Sequence, residues 1–253
     1  LQSLQRFVNQ ILEIEANYNL RLCVNILQDF DGIIFDFDGT LYENHGIAKE
    51  LIKLRPFDMF TMLAERKTRS LLRGLYFGSE SEFRKAYIKT LSKKSILSKS
   101  QVEKWYFEVF MGSIVKILPV KFRARPRVNE IFEYLKSKGK KIVVLSDYNF
   151  VSQRMTALGI STKNTDILHS SEELGGLKPA KEIFLKVSQE LGLTPQRILV
   201  VGDRSDTDGL GAFNSQMKFI QIKTIKTKNP PKNGEFPLMT WEEFTKFVFS
   251  SEK

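Results

Sequence analysis

The chain has 253 residues, 42% apolar and 27% charged, enough to bury a real core as one domain or as one domain with a substantial insert. No apolar run nears the roughly 18 residues of a membrane span, and no basic-then-apolar leader opens the chain, so a cytoplasmic protein without a membrane partner is expected; the single Cys23 excludes an internal disulfide and agrees with a reducing compartment. The net charge of +10 would draw anionic substrates, while lysines spread over Lys93-Lys94, Lys140-Lys141 and the stretch from Lys223 to Lys232 argue for a solvated basic surface and against specific nucleic-acid binding.

Leu4, Phe7, Val8, Ile11 and Leu12 recur at helical spacing, so residues 1–27 are expected to form a helical extension packed on the main domain. A partner-binding or dimer-forming role is the alternative. From Asp31 to Leu41 the spacing predicts a first strand, Ile33-Ile34-Phe35, followed by the loop Asp36-Phe37-Asp38-Gly39-Thr40. If the strand period persists, its two carboxylates face the same way, and Gly39 can bend the chain away. One carboxylate could then attack an electrophile while the other moves a proton. The bland alternative is an acidic turn.

Residues 44–121 show helical patterns only. Ser79 with Glu82, and Ser100 with Glu103, match capping boxes. Phe83, Ala86, Tyr87 and Leu91 trace one apolar face, and Val102, Trp105, Tyr106, Val109 and Phe110 another; such stripes are read as core. Strand–helix alternation then begins: helix Val128–Leu135, strand Lys141–Leu145, helix Phe150–Leu158, strand Asp166–Leu168, helix Ala180–Leu191, strand Ile198–Val201, helix Asp206–Ser215 and strand Phe219–Ile222. Continuous β-branched runs alternating with helices predict a parallel sheet covered on both faces. Residues 226–237 read as loop, and Thr240 caps a last helix with Phe244, Phe247 and Val248 inward.

Polar motifs follow the strands: Asp36 to Thr40, Ser146-Asp147, Gly175-Gly176-Leu177-Lys178-Pro179, and Gly202-Asp203-Arg204-Ser205-Asp206-Thr207-Asp208. In parallel sheets the ligand site lies beyond the carboxyl ends of the strands, where all of these fall. With these four motifs in this order, the sequence from about Asp31 to Met217 resembles the haloacid dehalogenase-like hydrolase superfamily, mainly Mg²⁺-dependent phosphatases. The resemblance implies an α/β fold: a Rossmann-like core of residues 28–43 and 122–253, with an all-helical cap inserted over 44–121.

By the same resemblance Asp36 is the nucleophile, forming an aspartyl-phosphate, and Asp38 protonates the leaving alcohol and later deprotonates water. Mg²⁺ would be held by the carboxylates of Asp36 and Asp203 and the backbone carbonyl of Asp38. Asp208 would act through bound water or orient Asp203; spacing alone leaves open whether Asp206 or Asp208 is merely a helix N-cap. Ser146 would donate to a phosphate oxygen. Lys178 would meet the phosphate near a helix N-terminus, Pro179 being suited to a first turn. Asp147 departs from the Asn or Gly common in the family and is expected to point aside or cap the next helix. His45 and His169 are expected to be bystanders.

Asp38 is the discriminating residue, since dehalogenases of this resemblance lack that acid/base. The expected activity is a phosphomonoesterase acting on a small phosphorylated metabolite. The rivals are a phosphosugar mutase and a non-catalytic, RNA-associated basic module.

Overall fold

The computed structural model describes residues 27–225, 227 and 236–250. The expected N-terminal helix, Cys23 and most of the 226–237 loop lie outside them. The strands are β1 (Gly32–Asp36), β2 (Lys141–Ser146), β3 (Ile167–Ser170), β4 (Ile198–Gly202), β5 (Lys218–Ile222) and β6 (Leu238–Met239). They form one six-stranded sheet in the order β3-β2-β1-β4-β5-β6, every pairing parallel. Between β1 and β2 come five helices, α1 (Ile47–Leu54), α2 (Met59–Leu72), α3 (Glu80–Lys94), α4 (Lys99–Lys104) and α5 (Gly112–Lys121), then α6 (Val128–Ser137). The later helices are α7 (Val151–Ala157), α8 (Lys181–Leu191), α9 (Leu210–Asn214) and α10 (Trp241–Phe249). The fold is the α/β, Rossmann-like sheet with a helical insert that the sequence led us to expect.

β1 and β4 are buried along their whole length, which is why their sequences are unbroken apolar runs rather than alternating ones. Their side chains still alternate between two faces. Ile33 and Phe35 point to one, where Phe35 meets Phe132 of α6 at 5.1 Å and Phe244 of α10 at 6.1 Å between ring centroids. Ile34 joins Val143, Leu145 and Val200 on the other face, against Ile183, Phe184 and Val187 of α8. Each such large apolar side chain contributes roughly 1.5–3 kcal/mol on burial. The strand order reverses between β1 and its two neighbours, and at that switch the crevice beyond the strand ends opens.

Three local expectations need correction. The cap of α4 is Ser98, not Ser100: Ser98 Oγ accepts from Gln101 N–H at 3.4 Å, and Gln101 Oε1 accepts from Ser98 N–H at 2.8 Å. This register buries Val102 in the same apolar cluster as Leu97, which flanks the helix as in a hydrophobic staple. The helix expected over 206–215 is a π-turn, Ser205–Gly209, followed by the short α9. Pro179 lies ahead of the N-cap Ala180 instead of in the first turn of α8, because a turn from Leu177 to Ala180 (N–H to carbonyl 3.1 Å) closes first.

Candidate active site

Asp36 ends β1 and is buried at 6% exposure. Thr40 donates to its Oδ2 at 2.8 Å, and Lys178 Nζ lies 2.6 Å from its Oδ1. The same ammonium is 2.6 Å from Asp208 Oδ1 and 3.3 Å from the carbonyl of Leu145. The loop after β4 brings in Asp203. Carboxylate oxygens of Asp36, Asp203 and Asp208 all lie within 4.8 Å of one another, a group able to hold a metal ion. Gly39 makes this approach feasible twice over: its φ is +102°, and a Cβ there would stand 2.3 Å from Asp203 Oδ2.

Three acids around one ammonium leave a surplus of buried negative charge. Burial, reinforced by Asp36 and Asp208, pushes Asp203 up to about 9. Burial likewise lifts Asp36 to about 7, with Asp208 and Asp38 adding to the rise and Lys178 opposing it. Lys178 is buried too, but the facing carboxylates of Asp208 and Asp36 hold its ammonium well above the usual lysine range. Carboxylates at such a distance from their ordinary state call for a further cation, and an all-oxygen donor set suits a hard one.

Asp38 belongs to a second, adjoining cluster. Arg154 Nη1 grips both of its oxygens at 2.9 and 2.8 Å, Tyr42 donates to Oδ1 at 2.6 Å, and Ser146 donates to Oδ2 at 2.8 Å. Burial works against the anion, yet the Arg154 charge and the bonds from Tyr42, Arg154 and Ser146 outweigh it and hold Asp38 below the usual carboxylate range. Arg154 Nη2 also donates to Ser146 Oγ at 2.6 Å. Ser146 is therefore beside Asp38 and Arg154, at the end of β2.

The π-turn separates the roles of the two acids that spacing could not assign. Asp208 is buried against Lys178, whereas Asp206 is on the surface, paired with Arg204 at 2.7 Å and Arg73 at 2.8 Å. Asp147 turns aside: its Oδ1 accepts from Ser171 Oγ at 2.7 Å and from Lys178 N–H at 3.1 Å. It caps no helix. His45 is exposed, and His169 pairs with Glu190 at 2.8 Å away from the site.

Sequence reasoning missed Arg154, Tyr42 and Thr40, and also Arg69 of α2. Arg69 reaches the site's rim: Nη1 donates to the Asp147 carbonyl at 2.8 Å, and Nη2 binds Glu172 and the Tyr106 hydroxyl. Arg154 carried a signal. It shares a helical face with Val151 and Met155, and a charge inside an apolar stripe announces a buried partner.

A sequence profile described as haloacid dehalogenase-like hydrolase matches residues 30–215. A glyceraldehyde 3-phosphate phosphatase of Methanothermobacter thermautotrophicus is 30% identical over 118 residues, 44% of this chain and 52% of that protein. A human glycerol-3-phosphate phosphatase is 41% identical over 59 residues, 23% of this chain and 18% of the relative. The chain thus matches about half the length, or less, of these curated relatives. Among solved structures, a 2-haloacid dehalogenase from Pseudomonas syringae superposes with a TM-score of 0.62 at 15% identity, covering 87% of this chain and 98% of the other. At that identity the likeness speaks for the fold alone.

Proposed function

Since the chain belongs to the haloacid dehalogenase-like hydrolases, we propose that it is a Mg²⁺-dependent phosphomonoesterase acting on a small phosphorylated metabolite through an aspartyl-phosphate. The convergence of Asp36, Asp203 and Asp208 beside Lys178 carries this reading. The curated relatives named for glyceraldehyde 3-phosphate and glycerol 3-phosphate support the substrate class. In this scheme residues 28–43 and 122–253 are the catalytic core and residues 44–121 the cap that shields the site from water. Among the described residues no helix is long and apolar enough to cross a membrane, and the single cysteine favours a reducing, cytoplasmic setting.

Mg²⁺ would be held by carboxylate oxygens of Asp36 and Asp203, with Asp208 close enough to join or orient them, and would offset the charge that gathers as two anions meet. Asp36 attacks phosphorus through a carboxylate oxygen, and the bond to the leaving oxygen breaks. Lys178, beside Asp36, and Ser146, beside Asp38, would stabilise the non-bridging oxygens. The departing alkoxide takes a proton from Asp38, which then removes one from the water that hydrolyses the aspartyl-phosphate. Held by Arg154 as an anion, Asp38 is set for the second half. Serving the first half requires its carboxyl to leave Arg154 and meet the substrate oxygen in protonated form.

Phosphate release from a panel that includes glycerol 3-phosphate and glyceraldehyde 3-phosphate tests the reading. Asp36→Asn should abolish turnover while circular dichroism stays unchanged, and a chelator should do the same reversibly. Full activity in Asp36→Asn, or a chelator-insensitive rate, would reject the mechanism.

A further inference from the structure

The helical insert carries nearly all of the molecule's net charge. Residues 44–121 hold sixteen Lys and Arg against seven Asp and Glu, a net +9 out of +10 for the whole chain. Of the three lysine clusters, only Lys93-Lys94 lies in the insert; its excess arises because the cations there outnumber the acids, whereas outside it the two nearly balance. On that same insert, the turn from α1 to α2 exposes large apolar side chains: Phe57 is 98% and Phe60 76% exposed, with Leu54, Leu63 and Leu71 also open to solvent. Phe60, Leu63, Lys67 and Leu71 follow one another at spacings of three and four, so they form a single stripe along α2. Its opposite face, with Thr61, Ala64, Thr68 and Leu72, is buried. Lys53, Arg55, Arg66 and Lys67 are exposed around the apolar residues, Lys53 paired with Glu50 at 2.6 Å and Arg55 with Asp58 at 2.8 Å.

We propose that this tip of the insert docks on an anionic lipid surface, Phe57 and Phe60 entering the interface and the surrounding lysines and arginines meeting headgroup phosphates. Exposed apolar residues within a basic rim are the chemistry of interfacial anchoring. Phe57 stands almost wholly clear of its neighbours, which suits entry into a soft interface rather than the filling of a groove. A second copy of the chain is disfavoured, because a two-fold contact would bring like-charged Arg55, Arg66 and Lys67 of both copies together. Polynucleotide binding would draw on the same cations and on the Phe57 and Phe60 rings, but the aliphatic Leu54, Leu63 and Leu71 that complete the patch suit lipid better than bases, and RNA binding is one outcome of the test. Arg69, which touches the active-site rim, is nine residues beyond Phe60, about 13 Å along the helix axis. Phe57 and Phe60 are thus set back from that rim, while Arg66 and Lys67 lie within one turn of Arg69.

Co-sedimentation of the full chain with vesicles tests this, comparing phosphatidylcholine alone with phosphatidylcholine containing phosphatidylserine. Binding should require the anionic lipid and weaken as salt rises. Phe57→Ser/Phe60→Ser should reduce it on the order of a hundredfold, from the apolar area withdrawn from lipid. Arg55→Gln/Arg66→Gln/Lys67→Gln should reduce it by a similar factor, at about fivefold per basic residue near an anionic surface. Both variants should keep the wild-type circular dichroism and phosphate release. The idea fails if anionic vesicles do not bind the chain, or if binding persists undiminished in the Phe variant. It also fails if that variant instead abolishes a concentration-dependent dimer, or if salt-sensitive RNA binding occurs without vesicle binding. Vesicle binding needs no turnover, so this result and that of the phosphatase assay are read separately.

Discussion

A guanidinium with no exposed surface must find all its partners inside the fold. Arg154 finds them in the Asp38 carboxylate, Ser146 Oγ and the carbonyls of Tyr148 and Asn149. Removing one member of a buried pair leaves an uncompensated charge, which is worse than never having built the pair. Arg154→Met should therefore cost about 3 kcal/mol of stability, and adding Asp38→Asn should restore part of it; a double-variant loss equal to the sum of the two single losses, measured by denaturant unfolding, would show no coupling. The acids of the site were legible because motif order along the chain is itself a structural statement. Arg154 was not, since its role exists only once α7 packs under the end of β2. His169 poses a separate electrostatic question. Its ion pair with Glu173, helped by Glu190 and opposed by burial, raises its pKa above 6.5. A raised folded-state pKa means the stabilisation is complete below about 6.5 and disappears as pH climbs through the folded value. Replacing His169 by Gln should thus cost up to about 1 kcal/mol at pH 5.5 and almost nothing at pH 9, and a pH-independent difference would refute the linkage.

At the scale of single elements, two overlapping templates competed at the start of α4. Ser98-Lys99-Ser100-Gln101-Val102-Glu103 satisfies the capping pattern at Ser98 with Gln101 and again at Ser100 with Glu103. Local chemistry does not choose between them. Burial does, since only the earlier start sets Leu97 and Val102 on either side of the first turn within the core. Ser98→Ala should consequently cost about 1 kcal/mol and Ser100→Ala only a few tenths; the reverse order in thermal unfolding would return the cap to Ser100. The long strands were legible for a related reason: a continuous buried run with two or three β-branched residues leaves little other choice. β6 was not, because two residues carry no period. Its place is set by pairing, with Gln221 N–H donating to Pro237 at 2.9 Å and Lys223 N–H to Met239 at 2.7 Å. The π-turn after β4 is also a product of context. An ordinary helix from Asp206 was the natural expectation, and the wider turn is what accompanies Asp208 facing Lys178 while Asp206 faces solvent.

For the molecule as a whole, the decisive relation is that of the helical insert to the sheet. Its two ends leave the core side by side, Tyr42 bridging to Ala124 and Arg125 N–H donating to Leu41 at 2.8 Å. A second attachment is made far away in sequence. Tyr76 bridges to Gly176, Phe77 N–H donates to Gly175 at 2.8 Å, and Leu177 N–H donates to Leu75 at 3.2 Å. Those bonds end one residue before Lys178, so the seating of the insert and the placement of the ammonium that faces Asp36 belong to one stretch of backbone. Arg69 adds a buried link through Glu172 and the Asp147 carbonyl. A Cβ on Gly176 would lie 2.5 Å from the carbonyl oxygen of Leu75, a backbone atom with no rotamer to escape by. Gly176→Ala should then push the two loops apart at a cost of about 1–3 kcal/mol, localised to this seam. Hydrogen exchange should speed up at Phe77 and Leu177 while β1 and β4 stay protected, and phosphate release should fall with the loss of Lys178's position. Faster exchange at both amides with undiminished phosphate release would mean that Lys178 is placed by Asp36 and Asp208 alone, and that the insert is docked without instructing the catalytic centre.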